Sequence, residues 1–160
     1  MKKLNCALIF LLLTACMSTP YGKYGLLGGY TDSRIDMYTF SISVDNNGFT
    51  NQQTTSMHGL YRAAELTVKH SFDYFIIVTE SVNPTSMYVA MPSSSSSTLN
   101  SYSSSISTTY SASNIMPMIF PNASFTIKTY NGDKPKDNPK AYDAREVMKF
   151  IGPQIGIKSE

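Results

Sequence analysis

Twice in this chain apolar and polar side chains alternate for the length of a strand. Tyr38, Phe40, Ile42 and Val44 alternate with Thr39, Ser41, Ser43 and Asp45. In the stretch from Asn122 to Tyr130, Phe125 and Ile127 stand against Thr126 and Lys128. Successive residues of a strand point to opposite faces, so each stretch specifies one buried face and one wet face. A sheet patterned this way needs a cover on one side only. Between the two, Phe72 to Thr79 (FDYFIIVT) is densely apolar, the composition of an interior strand flanked on both sides.

The stretch from Thr50 to His70 supplies a cover. Thr50 and Gln53 have capping-box spacing, and Met57, Leu60, Tyr61, Ala64 and Val68 recur at helical intervals along one face. Arg62, Glu65 and Lys69 fall on another face as a ladder of structural ion pairs. Gly59 inside the helix costs about 1 kcal/mol relative to alanine, which close packing against the sheet explains. Asp143 with Glu146 opens a second, shorter helix through Val147, Phe150 and Ile151 that Gly152-Pro153 ends. Leu26–Tyr30 opens a first strand in which Gly28-Gly29 marks a bulge or a close backbone approach. A shorter strand follows at Met87–Met91. Turns fall at Asn46-Asn47-Gly48, Asn83-Pro84 and Asn131-Gly132-Asp133, and Lys134 to Lys140 is a loop. This order predicts an α+β fold: one domain, an antiparallel or mixed sheet of about four to five strands, and two helices on one side.

The N-terminus carries a different signal. Lys2 and Lys3 precede the apolar run Cys6–Leu13, eight residues where a bilayer span needs roughly twenty. Residues 1–15 therefore read as a signal peptide. Leu13-Thr14-Ala15-Cys16 resembles the lipobox of bacterial lipoproteins, an apolar residue and two small ones before a cysteine. That resemblance implies cleavage before Cys16, a diacylglycerol thioether on its sulfur and an acylated new amino group. Cys6 leaves with the signal, so the mature chain holds no disulfide. Residues 16–25 are expected to be the lipidated N-terminus and a tether, and 26–160 the folded domain. Met17 in place of Asp after the cysteine implies, by the same resemblance, the outer membrane facing the periplasm. The membrane, reached through the lipid anchor, is the first expected partner.

Removing Lys2 and Lys3 from the 13 basic residues leaves 11, against 11 acidic ones. A balanced domain carries no electrostatic footprint for nucleic acid and no polybasic patch for lipid headgroups. From Ser81 to Ile127 there is no charged residue at all, and residues 93–113 hold twelve serines and three threonines around Tyr102, Ile106 and Tyr110. This insertion reads either as a flexible Ser-rich excursion or as polar strands that form a contact surface, with Tyr102 and Tyr110 meeting the partner.

Catalytic signals are sparse. His58 and His70 are too far apart for a shared helical metal site, and no cofactor or metal is expected. His58 is expected on an exposed helix face and His70 as a favourable cation at the helix C-terminus. There is no nucleophile elbow and no phosphate-cradling glycine loop. A hydrolase would require a cleft gathering His58 or His70 with Asp73 or Glu65, and the expectation is that the protein is not an enzyme.

Several motifs in order complete the picture: Gly28-Gly29-Tyr30-Thr31-Asp32, Asn47-Gly48-Phe49-Thr50, Tyr61-Arg62-Ala63-Ala64-Glu65-Leu66, Phe72-Asp73-Tyr74-Phe75 and Asp143-Ala144-Arg145-Glu146-Val147. Together they resemble a family of small bacterial envelope lipoproteins of uncharacterised function, over most of Gly28 to Ile151 apart from the Ser-rich middle. The resemblance implies an envelope lipoprotein and supplies no catalytic residues. The expected role is an interaction domain for another envelope component, with a glycan- or peptide-binding module using the Tyr/Ser region as the alternative.

Overall fold

The computed structural model describes residues 17–90, 95–100, 105–110 and 115–158. Cys16 and Tyr102 lie outside the described residues. The elements run β1 (Gly28–Arg34), β2 (Thr39–Asn46), α1 (Gln52–Lys69), β3 (Tyr74–Ser81), β4 (Thr85–Ala90), β5 (Ser95–Asn100), β6 (Ser105–Tyr110), β7 (Ile115–Phe120), β8 (Asn122–Tyr130), β9 (Ala141–Asp143) and α2 (Ala144–Ile151). The fold is α+β, with a five-stranded antiparallel sheet in the order β1-β2-β8-β3-β9.

The alternating strands do what their pattern dictates. Phe40 pairs with Ile127 and Ile42 with Phe125 across β2 and β8, and all four side chains are buried. Phe75 and Ile77 of β3 and Val44 of β2 extend the same face, while Ser124 and Lys128 on the other face are exposed. β2 starts one residue later than its alternation suggests, leaving Tyr38 exposed and burying Asn46.

The buried stripe of α1 matches the expected one in part. Tyr61 and Ala64 are buried as expected, but Met57, Leu60 and Val68 are only half-buried, whereas Thr55, His58, Gly59, Arg62, Ala63, Leu66 and Thr67 are also buried. Hydrophobicity alone points to the larger side chains, but the sheet approaches too closely for them. A Cβ on Gly59 would sit 2.2 Å from the Phe125 ring, so the expected close packing is there. Thr55 and Thr67 are tolerated in the interface because their hydroxyls bond back to the carbonyls of Asn51 and Ala63, at 3.2 and 2.7 Å. The N-cap is Asn51, not Thr50. Its side chain accepts from the Thr54 N–H at 2.7 Å, while the Thr50 hydroxyl is committed to Asn47 and Thr19. For α2 the expected cap holds, with the Asp143 carboxylate accepting from the Glu146 N–H at 2.9 Å.

Residues 17–25, expected as a tether, are hydrogen-bonded to β1, to the turn before it and to the loop between β2 and α1. The Thr19 N–H donates to Thr50 Oγ1 at 2.8 Å, its hydroxyl donates to the Leu27 carbonyl at 2.6 Å, and it accepts from the Asn47 N–H at 2.9 Å. Thr19 is 3% exposed. Asn47 Nδ2 donates to the Met17 carbonyl at 2.9 Å. Gly28 and Gly29 make this possible, with φ of +97° and +134°. A Cβ on Gly29 would fall 2.6 Å from the Gly22 carbonyl oxygen, and only glycine combines that φ with that approach.

Ser86–Ile119 forms a second compact unit. Within it β5 and β6 pair antiparallel, Ser95 opposite Tyr110 and Asn100 opposite Ser105, and β4 pairs with β7. Of the two readings of the Ser-rich segment, the strand reading is the one that describes Ser95–Asn100 and Ser105–Tyr110.

Candidate functional site

Helix α1 carries His58, Tyr61, Arg62 and Glu65 at the spacing that stacks side chains on one flank. Strand β1 brings Tyr30 and Asp32 to that flank, and the docked N-terminal segment lays Tyr21 over it. The Tyr21 ring packs against Tyr30 at 5.0 Å and edge-on against Tyr61 at 5.0 Å and His58 at 5.5 Å. Its hydroxyl donates to Glu65 Oε2.

Arg62 holds the charges together. Its Nη1 donates to Glu65 Oε2 at 2.8 Å, and its Nε donates to Asp32 Oδ1 at 2.9 Å. Its guanidinium lies 4.4 Å from the centre of the Tyr30 ring, within cation–π range. Burial by itself would lower its affinity for the proton, but the bond to Glu65 and the charge of Asp32 outweigh it, and the pKa is raised. The Tyr21 phenol is pushed up, chiefly by burial and then by its bond to Glu65. Tyr30 is raised by burial against the opposing pull of Arg62. Tyr21 stays protonated and Arg62 stays charged at any physiological pH.

Glu65 Oε2 thus accepts two donors, and the donors belong to the same cluster. The arrangement clasps the N-terminal segment to α1 and β1. It is poorly suited to proton transfer, which requires a group that gives or takes a proton near the working pH.

The expected ion-pair ladder is present in part. Arg62 and Glu65 are bonded, while Lys69 has no carboxylate within ion-pair distance among the described residues. It lines a shallow cleft with Lys23, Tyr24 and Asp32. His58 is not on an exposed face as expected but 2% exposed, facing Tyr21 and the Asn46 amide nitrogen, 3.4 Å from its Nδ1. Burial pushes its pKa down. His70 caps α1 and packs, tilted, against Phe40 at 4.9 Å between ring centres. Burial, then Arg34 and Lys69, push its pKa down too, so the expected helix-end cation is disfavoured.

No hydrogen bond joins His58 or His70 to Asp73 or Glu65 among the described residues. Asp73 lies with Arg145 at 3.0 Å and accepts from the Gly132 N–H at 2.8 Å, bonds that hold its carboxyl below the usual range. His58 and Glu65 meet only through Tyr21, without a hydrogen bond between them among the described residues. Nor does any group of three or more His, Cys, Asp and Glu gather to hold a metal among those residues. No described helix is long and apolar enough to cross a membrane. Of the expected partner contacts, Tyr110 ends β6, its backbone paired with Ser95, and Tyr102 lies outside the described residues, as does Cys16.

Tyr21, Tyr30 and Asp32 were not legible as site residues. Tyr30 and Asp32 stand inside the Gly-Gly-Tyr-Thr-Asp motif, which is the one available signal. Tyr21 sits in a short polar stretch that reads as linker. A comparison with protein-family models, with curated proteins and with solved structures finds no match to this chain.

Proposed function

We propose that the protein is a non-enzymatic bacterial lipoprotein, held through Cys16 in the outer membrane and presenting an interaction domain to the periplasm. The observation that carries this reading is the order basic pair, short apolar run, Leu13-Thr14-Ala15-Cys16. The motif resemblance to small envelope lipoproteins points the same way. One feature of the folded chain supports the non-enzymatic part of it: the Tyr21–Glu65–Arg62 cluster spends its acid and its cation on one another. The partner in this reading is another envelope protein or a glycan, met by the uncharged Ser/Tyr hairpin of β5 and β6.

Intact mass of the membrane-extracted protein tests the anchor. Wild type is expected to start at Cys16 with the added mass of its acyl groups, and Cys16→Ser to lose that mass and leave the membrane fraction. A wild-type protein that is soluble and carries no acyl mass ends the proposal. Crosslinking in the native envelope, with Tyr102→Ala and Tyr110→Ala beside wild type, tests the contact surface. Unchanged capture by both variants removes the hairpin from the interface.

A further inference from the structure

Leu26 and Leu27 occupy a position that leucine rarely holds. The Gly25 N–H donates to the Gly28 carbonyl at 3.0 Å and the Gly28 N–H donates to the Gly25 carbonyl at 3.1 Å. These two bonds close a four-residue turn with the leucines at its tip. Turn tips favour Gly, Asn, Asp, Ser and Pro, because those residues suit the backbone and face water without cost. Here the tip is Leu26, fully exposed at 106%, and Leu27, at 42%.

Two more exposed apolar residues are tied to the same turn through hydrogen bonds. Thr19 links the Leu27 carbonyl to the Asn47 N–H, and Asn47 in turn bonds Met17 and, through Oδ1, the Phe49 N–H at 3.1 Å. Phe49 is 59% exposed and Met17 56% exposed. One hydrogen-bond cluster thus brings four uncharged apolar residues from three segments to the rim from which the chain leaves toward Cys16. Exposed apolar residues tied to one cluster in this way are a candidate interaction surface.

We infer that Met17, Leu26, Leu27 and Phe49 seat the domain on the lipid bilayer itself, an inference that rests on the acylation of Cys16 proposed above. The length of free chain selects this occupant. Two residues separate Cys16 from the buried Thr19, three chain steps with a reach of at most about 11 Å. An acylated Cys16 lies at the membrane surface, so the rim is brought to the depth where interfacial apolar side chains bury, about 5–10 Å into the headgroup and acyl boundary. A reach that short makes the lipid surface the occupant nearest to the rim. The domain is then held in one orientation, with the Leu-Leu turn and Phe49 down and the opposite sheet edge, β9, away from the membrane.

Acylated full-length protein, reconstituted in phosphatidylethanolamine–phosphatidylglycerol vesicles with acyl-chain spin-labelled lipid, tests this. Thiol-reactive, environment-sensitive fluorophores are placed at Leu26→Cys, Phe49→Cys and, on the exposed loop before β9, Asp137→Cys. The acylated mature chain has no other free thiol, and all three positions are exposed, so the variants keep the fold. Intact mass confirms acylation in each. Labels at 26 and 49 are expected to shift to the blue and lose most of their fluorescence to the spin-labelled lipid, while the label at 137 stays water-like. Acylated protein with unquenched labels at 26 and 49 overturns the seating and leaves the lipoprotein reading intact. Quenching at all three positions also overturns it, because the domain then has no fixed face. Absence of acyl mass removes the lipoprotein reading and the seating with it.

Discussion

Tyr21 donates its phenolic hydrogen to Glu65, 44 residues further along the chain. This bond turns a stretch with the composition of a linker into part of the domain. Arg62 shares the same carboxylate oxygen, so the N-terminal segment, α1 and β1 are tied at one point.

Removing the hydroxyl by Tyr21→Phe keeps the ring contacts and deletes a hydrogen bond to a charged acceptor. Such bonds contribute about 1.5–3 kcal/mol, and the partial exposure of Glu65, whose side chain is 27% accessible, places the expected loss at the lower end. Urea unfolding of wild type and variant measures it. The variant's N-terminal segment is also expected to be cut sooner by a protease, near Tyr21, than wild type. Equal cutting would show that the aromatic packing alone holds the segment.

Arg62→Ala leaves Asp32 and Glu65 facing each other without their shared cation. Breaking a buried pair by removing one partner costs about 3–5 kcal/mol. Both carboxylates retain some water, with side chains 24% and 27% accessible, so the lower end is expected. Arg62→Lys is expected to recover only part of the loss, since an ammonium cannot bond both carboxylates in the forked geometry and still lie over Tyr30. Denaturant midpoints for the three proteins rank wild type, Lys, then Ala.

Gly59→Ala is expected to destabilise the protein although alanine is the better helix former. The helical gain is about 1 kcal/mol, against overpacking of about 1–3 kcal/mol from a methyl placed on the Phe125 ring. In a Phe125→Leu background the clash is relieved, and the same substitution should become neutral or stabilising. A double-mutant cycle by thermal unfolding reads the coupling directly.

His58 makes stability fall as the solution is acidified. Burial lowers its folded pKa, so between that value and the unfolded value the unfolded chain binds more protons. The stability from the neutral ring is complete above about pH 6.5 and is lost as pH falls below it. His70, also lowered, adds a slope of the same sign. Comparison of urea midpoints at about pH 7.5 and about pH 5 is expected to show a smaller loss for His58→Gln than for wild type. An equal loss would assign the slope to His70 and the carboxylates.

What the sequence determined follows from local rules of short range. Period-two alternation specified β2 and β8 and the buried face they share, because a strand's side chains obey the pleat wherever the strand lies. An acidic cap three residues before Glu146 specified α2, because a helix end must satisfy its own N–H groups. The Gly28-Gly29 pair announced either a bulge or a close backbone approach, though not of what. Tertiary structure decided the rest. Which stripe of α1 is buried depended on the distance to the sheet, and that distance favoured Gly59, Thr55 and Thr67 over Met57 and Leu60. His58 became a core residue for the same reason. The fate of residues 17–25 rested on partners 28 to 44 residues away, and no local pattern encodes a contact at that separation. The linker became a clasp because Thr50, Asn47 and Glu65, brought together only by folding, offered Thr19 and Tyr21 the hydrogen bonds that water otherwise supplies.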